Sequence, residues 1–491
     1  MRAMLVLLLI SPSDGLCVQG SPTWIDKSRF TGRSRAIMAK LMPTYFPYGV
    51  SSFEKIRREG LYFRDNTRFI SELEKVQGAG VLLTRPTRWG KTLLQGTLMV
   101  YYDEDTTKRK YDELFRGLHI HNHTTEGRGK YQVLSLNFMN VEGGTPDARE
   151  ERLWADINFQ CTLFAKKYHY EKELVVNKDA MLTLRSLSHA VKARRDSWGW
   201  RRGWRLRRPW RTRPPELYIF VDEYDRYIYS LITLALQEPT SRAREDLDRG
   251  GPVVTVLDEL KSLEAEDLVS CYMIVGLARV QWADKSKANN IKLLSAEKSF
   301  GGACGFGLDD IKGGLDYLNL TEDQTLEALK LMNYCFNGYR FPGVGIGADD
   351  GLYNAQLCNN FLQALCLQEN LRWLDPSDDM HWDKLKTSGD LVAWVNDDQS
   401  DPSWKMLELL ARSGNAANDL SVLAKGGTLE HSEALLRQRY CVKDLLDPKS
   451  PDCVAATRNF MYDIGLATLD ADGANIKAPN AVVRELLRRK A

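Results

Sequence analysis

Several absences narrow the reading before any motif is considered. The nine cysteines, at 17, 161, 271, 304, 335, 358, 366, 441 and 453, form no C-x-x-C pair, which excludes a zinc ribbon or dithiol redox motif. An odd, dispersed set in a chain of 491 residues reads as reduced, mostly buried thiols and suits an intracellular protein. Past the N-terminus no apolar stretch reaches ~18 residues, the length a membrane-spanning helix needs. Internal repeats are missing. So is a strong charge: +2 overall gives no general reason to expect nucleic acid or an anionic membrane.

With 43% hydrophobic and 27% charged residues, the composition is that of a globular protein, long enough for roughly two to four domains. Basic character is local. Residues 192–213 hold ten Arg/Lys against one Asp, about +9, and leave the rest of the chain near −7. Met1-Arg2-Ala3-Met4 and the apolar run 5–10 resemble the start of a secretory signal, which would make the protein secreted. The run is brief and lacks a clean A-x-A-like site. Residues 1–44 therefore read as a leader, signal-like or disordered.

Short apolar runs bounded by glycine, proline or acidic residues predict buried parallel strands at 80–84, 132–138, 217–221 and 271–275. Helical patterns alternate with them at 53–59, 66–76, 91–102, 153–168, 178–193 and 253–268, which implies an α/β parallel sheet. Beyond about 310 helices dominate, at 322–336, 353–370 and 404–412. The chain closes with a helix, a short strand pair near 467–469 and 476–478, and a final helix. The expected domains are a core over 45–300, a helical region over 301–400 and a small winged-helix-like or α/β piece over 401–491.

The first predicted strand runs into Arg85-Pro86-Thr87-Arg88-Trp89-Gly90-Lys91-Thr92, a Walker A phosphate loop without its first glycine. Each position has a physical task. The turn points backbone N–H groups inward and the helix N-terminus adds a positive dipole end. Gly90 permits close approach, Lys91 pairs with the β/γ-phosphate oxygens, and the Thr92 hydroxyl is a Mg²⁺ ligand. Arg85 and Arg88 are expected to add positive charge near the anion. A loop of this kind needs an acidic partner on a neighbouring strand. The strand at 217–221 ends in Asp222-Glu223-Tyr224-Asp225, where Asp222 would hold Mg²⁺ and Glu223 would polarise the attacking water. Asp225 divides between this chemistry and a structural or capping role. No N-K-x-D guanine signature occurs, so ATP is the expected nucleotide.

These residues resemble the AAA-ATPase-like domain family of P-loop NTPases. Its R-P-x-R-[aromatic]-G-K-[ST] loop is matched by Arg85 to Thr92, its P-Y-G-[IV]-x-x-F-E segment by 47–54, its Y-x-D-x-T segment loosely by 62–67, and its D-E-Y-D strand end by 222–225. Further markers follow in family order: N-G-Y-x-F at 337–341, Y-N at 353–354, T-S at 387–388 and P-N-x-x-V at 479–483. The resemblance implies a Mg²⁺-dependent ATPase that drives or switches an interaction with a protein or nucleic-acid client. Bacterial members often add a restriction-endonuclease-like nuclease domain, which is not expected here. Where the family has T-G after the next strand, this chain has Val275-Gly276, so turnover rather than binding is the property expected to suffer. Arg279 and Arg340 are candidate finger or sensor arginines, or surface residues.

Two alternatives stand beside the ATPase. A nucleotide-gated interaction module without hydrolysis would follow from the missing hydroxyl at 275. A nucleic-acid-binding protein would use the arginines of 192–215 with Trp198, Trp200, Trp204 and Trp210 for phosphate contact and stacking, although an insertion or a retained intron also accounts for that segment. His119, His121 and His123 alternate as if on one strand face, without nearby carboxylate or cysteine partners for a metal.

Overall fold

The computed structural model describes residues 46–490 apart from 48, 77, 79, 140–144, 198–213, 238–242, 244–245, 248–250, 282–290, 342–350, 367–373, 375–407, 409–410 and 412–415. The leader, the Arg/Trp segment at 198–213, most of 404–412 and the T-S pair at 387–388 lie outside the described residues.

Runs that are apolar at every position can be buried on both faces only inside a parallel sheet covered by helices. Strands β1 (Gly80–Thr84), β3 (Glu216–Asp222) and β4 (Cys271–Gly276) meet that condition, being buried along almost their whole length. With β2 (Tyr131–Asn137) and β6 (Lys292–Leu293) they form a five-stranded sheet of order β2-β3-β4-β1-β6, every pairing parallel. The protein is thus α/β, as its alternating pattern predicts. The edge strand β6 was not predicted. Two residues carry no hydrophobic period, and its pairing with β1 is continued by hydroxyl chemistry: Thr84 N–H donates to Ser295 Oγ at 2.6 Å, and Ser295 Oγ donates to Thr84 O at 2.9 Å.

The helix after β1, α1 (Lys91–Tyr102), buries Leu94, Leu98, Tyr101 and Tyr102 on one stripe and packs against β2, β3 and β4. Helix α2 (Pro146–Tyr168) starts seven residues before its predicted start at 153, because Thr145 accepts from Ala148 N–H and Pro146 occupies the first turn. It lies on β2, while α3 (Ala180–Asp196), capped by Asp179, lies on β3.

Later helices α4 (Leu308–Leu315), α5 (Glu322–Phe336) and α6 (Ala355–Leu365) enclose a second apolar core with Phe46, Tyr62 and Phe306. A three-stranded antiparallel sheet, β7-β10-β9, of Thr428–Glu430, Asn475–Lys477 and Thr468–Leu469, closes the chain beside helices α7 (Ala417–Ala424), α8 (Cys453–Asp463) and α9 (Ala481–Lys490). Its apolar residues, among them Phe460, Met461, Ile476 and Leu487, join the cluster that fills the main sheet. The short strands β5 (Val280–Gln281) and β8 (Tyr440–Cys441) pair across the two parts.

The histidine expectation is corrected: His119–Asn122 is a short helix, not a strand. Its leading N–H groups are satisfied from afar, His119 N–H by Asp65 Oδ2 and Ile120 N–H by Thr67 Oγ1. All eight cysteines among the described residues are free thiols. No helix among the described residues is long and apolar enough to cross a membrane.

One buried ion pair fastens the end of β4 to α8. Arg279 Nε donates to Asp463 Oδ1 at 2.8 Å and Arg279 N–H to Asp463 Oδ2 at 3.1 Å, both residues being nearly inaccessible. Removing one partner leaves a buried charge uncompensated. Asp463→Ala is therefore expected to lower unfolding free energy by about 3–5 kcal/mol, and the double change Arg279→Met/Asp463→Leu to recover most of the loss. Urea denaturation of both variants measures this.

Candidate active site

Two left-handed residues shape the loop after β1. Arg88 has φ 65° and Gly90 φ 87°, and Gly90 caps α1 without any side-chain hydrogen bond to its first N–H groups. Alternating conformations of this kind turn successive amides toward one side and form a concave donor surface at a helix N-terminus. Lys91, only 5% exposed, donates from Nζ to the carbonyl oxygens of Arg85 at 2.9 Å and Pro86 at 3.0 Å. Its ammonium is thereby held against the loop.

Next in α1 is Thr92, which faces β3. Thr92 Oγ1 donates to Asp222 Oδ2 at 3.0 Å, and one turn on Gln95 Nε2 donates to Val221 O at 3.2 Å. Residues 130 positions apart are thus brought together, although β4 lies between β1 and β3 in the sheet. Asp222 is 2% exposed. Burial, then the neighbouring Glu223 charge, push its carboxyl above the usual range, while the Thr92 hydroxyl, Lys91 and the Glu223 N–H pull it back. A buried carboxylate beside a hydroxyl offers two hard oxygen donors to one point, a set that suits Mg²⁺, which takes few protein ligands and keeps phosphate and water oxygens. No cluster of three or more His, Cys, Asp or Glu side chains arranged for a metal occurs among the described residues.

Glu223 follows at φ 54°, a region that non-glycine residues seldom occupy. Its N–H donates to Asp222 Oδ1 at 2.9 Å. Asp225 is turned inward and structural: Oδ2 accepts from Leu277 N–H and Ala278 N–H, each at 2.7 Å. Burial, then the Glu223 charge, push its carboxyl up to about 7.

Two loop residues do not do what their sequence position suggested. The Arg85 guanidinium, expected near the anion, is buried and donates to Thr84 O at 2.8 Å, Phe300 O at 2.9 Å and Gly301 O at 3.1 Å, with Phe341 across its face 4.2 Å from the ring centroid. Trp89, 1% exposed, wedges edge-on between Tyr339 and Phe341 at 4.9 and 5.1 Å. Gly305 touches the same indole, and a Cβ there would lie 2.3 Å from it. Pro86 is buried, whereas Thr87 and Arg88 are half-buried on the loop. Arg279 is not a surface residue but the buried partner of Asp463. Arg340 is half-buried, its N–H donating to Thr468 Oγ1 and its carbonyl accepting from Tyr462. Arg85, Pro86, Arg279 and Asp463 share a narrow cleft. Neither Thr92, Asp222 nor Glu223 lines it, so it is separate from the converging polar groups.

Residues 47–284 match the family described as predicted AAA-ATPase. This segment belongs to the AAA-ATPase-like family. A curated relative, an uncharacterized protein in the vnfD 5′ region of Azotobacter chroococcum mcd 1, is 34% identical over 93 residues, covering 19% of this chain and 16% of that protein. Among solved structures, the Walker-type ATPase paby2304 of Pyrococcus abyssi covers 88% of this chain and 97% of its own at 15% identity and TM-score 0.44. Cdc6p of Pyrobaculum aerophilum covers 96% and 97% at 12% identity and TM-score 0.26.

Within the AAA-ATPase-like segment, sequence reading gave no role to Gln95, Tyr224 and Gly276, which make contacts beside Asp222 and Glu223. A glycine closing a buried strand is the one signal that pointed to such a close approach.

Asp225 generates a pH prediction. A carboxyl whose folded value is raised contributes stability in full below its unfolded value near 4, and loses it as pH rises through about 7. Without nucleotide or magnesium, wild-type Tm should fall between pH 5 and pH 8. Asp225→Asn keeps an acceptor oxygen but has no charge to bury, so its fall should be visibly smaller. Parallel thermal melts at the two pH values check this.

Proposed function

We propose that the protein is a Mg²⁺-dependent ATPase whose reacting groups are Lys91, Thr92, Asp222 and Glu223. The observation that carries this reading is the 3.0 Å contact of Thr92 with Asp222 at the N-terminus of α1. It joins the expected phosphate loop to the expected acidic strand end.

Backbone N–H groups of 87–92 and the helix N-terminus would receive the phosphates, and Lys91 would exchange its carbonyl partners for phosphate oxygens. Thr92 and Asp222 would hold magnesium, which when bound neutralises charge on the phosphates. Glu223 would align a water and take up its proton as the water oxygen bonds to the terminal phosphorus and ADP departs. The family's predicted ATPase character and the absence of a guanine signature in the sequence support ATP as substrate. The client driven or switched by turnover would be a protein or nucleic acid.

Val275 favours a second reading, a nucleotide-gated module with negligible turnover. It is fully buried on β4 beside the site, and no hydroxyl there can meet a terminal phosphate.

One pair of variants separates the readings. Lys91→Ala should abolish ATP binding in calorimetry. Glu223→Gln should bind ATP as wild type does while phosphate release drops by about 10²- to 10⁴-fold, the range for losing a general base. Equal, near-zero release from wild type and Glu223→Gln, with binding intact, would support the module. Unchanged binding by Lys91→Ala would sink both.

A further inference from the structure

Of the expected reacting groups Lys91, Thr92, Asp222 and Glu223, Glu223 alone lies at positive φ, at 54°. Left to itself, a glutamate would leave that conformation. What holds it is visible on both sides.

On the N-terminal side, Asp222 is fixed in β3, in register with Asn137 of β2, and accepts the Glu223 N–H. On the C-terminal side the chain is fastened to the segment leaving β4. Tyr224 N–H donates to Val275 O at 3.4 Å and its phenol donates to Ala278 O at 2.6 Å. Asp225 Oδ2 takes both Leu277 N–H and Ala278 N–H. Gly276 lets the two segments approach: a Cβ there would lie 2.5 Å from the Tyr224 ring and 2.7 Å from Asp225 Oδ1. The next residue after Ala278 is Arg279, whose N–H and guanidinium are tied to Asp463 of α8.

We propose that Tyr224 and Asp225 are positioning residues, which set the carboxylate of Glu223 by clamping residues 222–225 to 275–278. Through Arg279 and Asp463 the same clamp is anchored to the C-terminal helix α8. The D-E-Y-D segment then divides its labour: the first two carboxylates face the reaction, and the last two side chains fix the backbone that presents them. Neither positioning side chain needs to touch nucleotide, because both are buried, with the Tyr224 hydroxyl and Asp225 Oδ2 taken up by backbone partners. This inference rests on the ATPase reading.

The test uses the full chain and four variants: Glu223→Gln, Tyr224→Phe, Asp225→Ala and Asp225→Asn. Steady-state phosphate release gives kcat and KM, a fluorescent ATP analogue gives affinity, and hydrogen exchange reports the Leu277 and Ala278 amides. Asp225→Ala should lower kcat by roughly tenfold to a hundredfold, the scale of an ångström's misplacement, with KM and analogue affinity within about twofold. Protection of the two amides should be lost. Asp225→Asn, which still offers an acceptor, should restore most of both.

A wild-type kcat in Asp225→Ala would overturn the proposal, as would a loss of affinity in step with kcat or an Asn variant no better than Ala. If Asp225→Ala fails to fold, Tyr224→Phe decides, since it removes one hydroxyl: lowered kcat at constant KM supports the clamp, and unchanged kcat removes it. The underlying reading fails separately. Were Glu223→Gln to match wild type, or wild type to release no phosphate, the ATPase and the clamp would fall together. A dead Glu223→Gln beside a fully active Asp225→Ala would overturn only the clamp.

Discussion

Buried charge is the constraint on which this structure depends. Lys91, Asp222, Asp225, Arg85, Arg279 and Asp463 are all almost inaccessible, and a charge withdrawn from water must be met by a hydrogen bond or an opposite charge. Each is met by a different part of the chain: Lys91 by loop carbonyls, Asp222 by α1, Asp225 by the segment leaving β4, Arg85 by residues 300–301, and Arg279 by α8. The parallel sheet supplies the place where these demands can be satisfied together. Its strand ends Thr84, Asp222 and Gly276 lie side by side, and in open α/β sheets ligands bind at that edge.

The same arrangement explains which parts were legible in sequence. Strand β1 and helices Lys91–Tyr102 and Glu322–Phe336 have the predicted bounds, because their signals are local: glycine and proline punctuation, apolar spacing, and the Thr321–Gln324 capping box. The contact between the loop 85–92 and the acidic strand end was legible too, since residue types at a strand terminus carry that information. Direction was not. Arg85 reads as a cation in a phosphate loop, yet its guanidinium answers to Phe300, Gly301 and Phe341, more than 200 residues away. The histidines alternate like a strand, but Asp65 and Thr67 cap them into a helical turn. Strands β6 and β7 have too few positions to show any period, although β9 and β10, equally short, lie where a strand pair was expected.

Segments beyond 284 that the sequence analysis singled out acquire physical reasons as well. Gly338, at φ 97°, lies where a Cβ would be 2.1 Å from Pro479 O. Asn480 Nδ2 donates to Asn337 O at 3.0 Å, while Asn480 Oδ1 accepts from Val483 N–H at the start of α9. The N-G-Y-x-F and P-N-x-x-V segments are therefore two halves of one joint. Tyr353 and Phe306 exchange backbone hydrogen bonds, and Asn354 caps α6.

That joint bears on the loop itself. A loop beginning with glycine can be shaped by backbone alone, but the loop 85–92 begins with arginine and carries a tryptophan before its one glycine. Both large side chains are buried against 300–305 and 339–341. The ring partners Tyr339 and Phe341 belong to the segment that Asn480 ties to α9, and Phe341 also meets Tyr462 of α8 edge-on at 5.8 Å. The conformation of the loop is thus determined partly by residues beyond the matched segment 47–284. Since Arg279 fastens the end of β4 to the same helix, the C-terminal part grips both the loop and the acidic strand end. A displacement of α8 from the sheet would have to break contacts to both together.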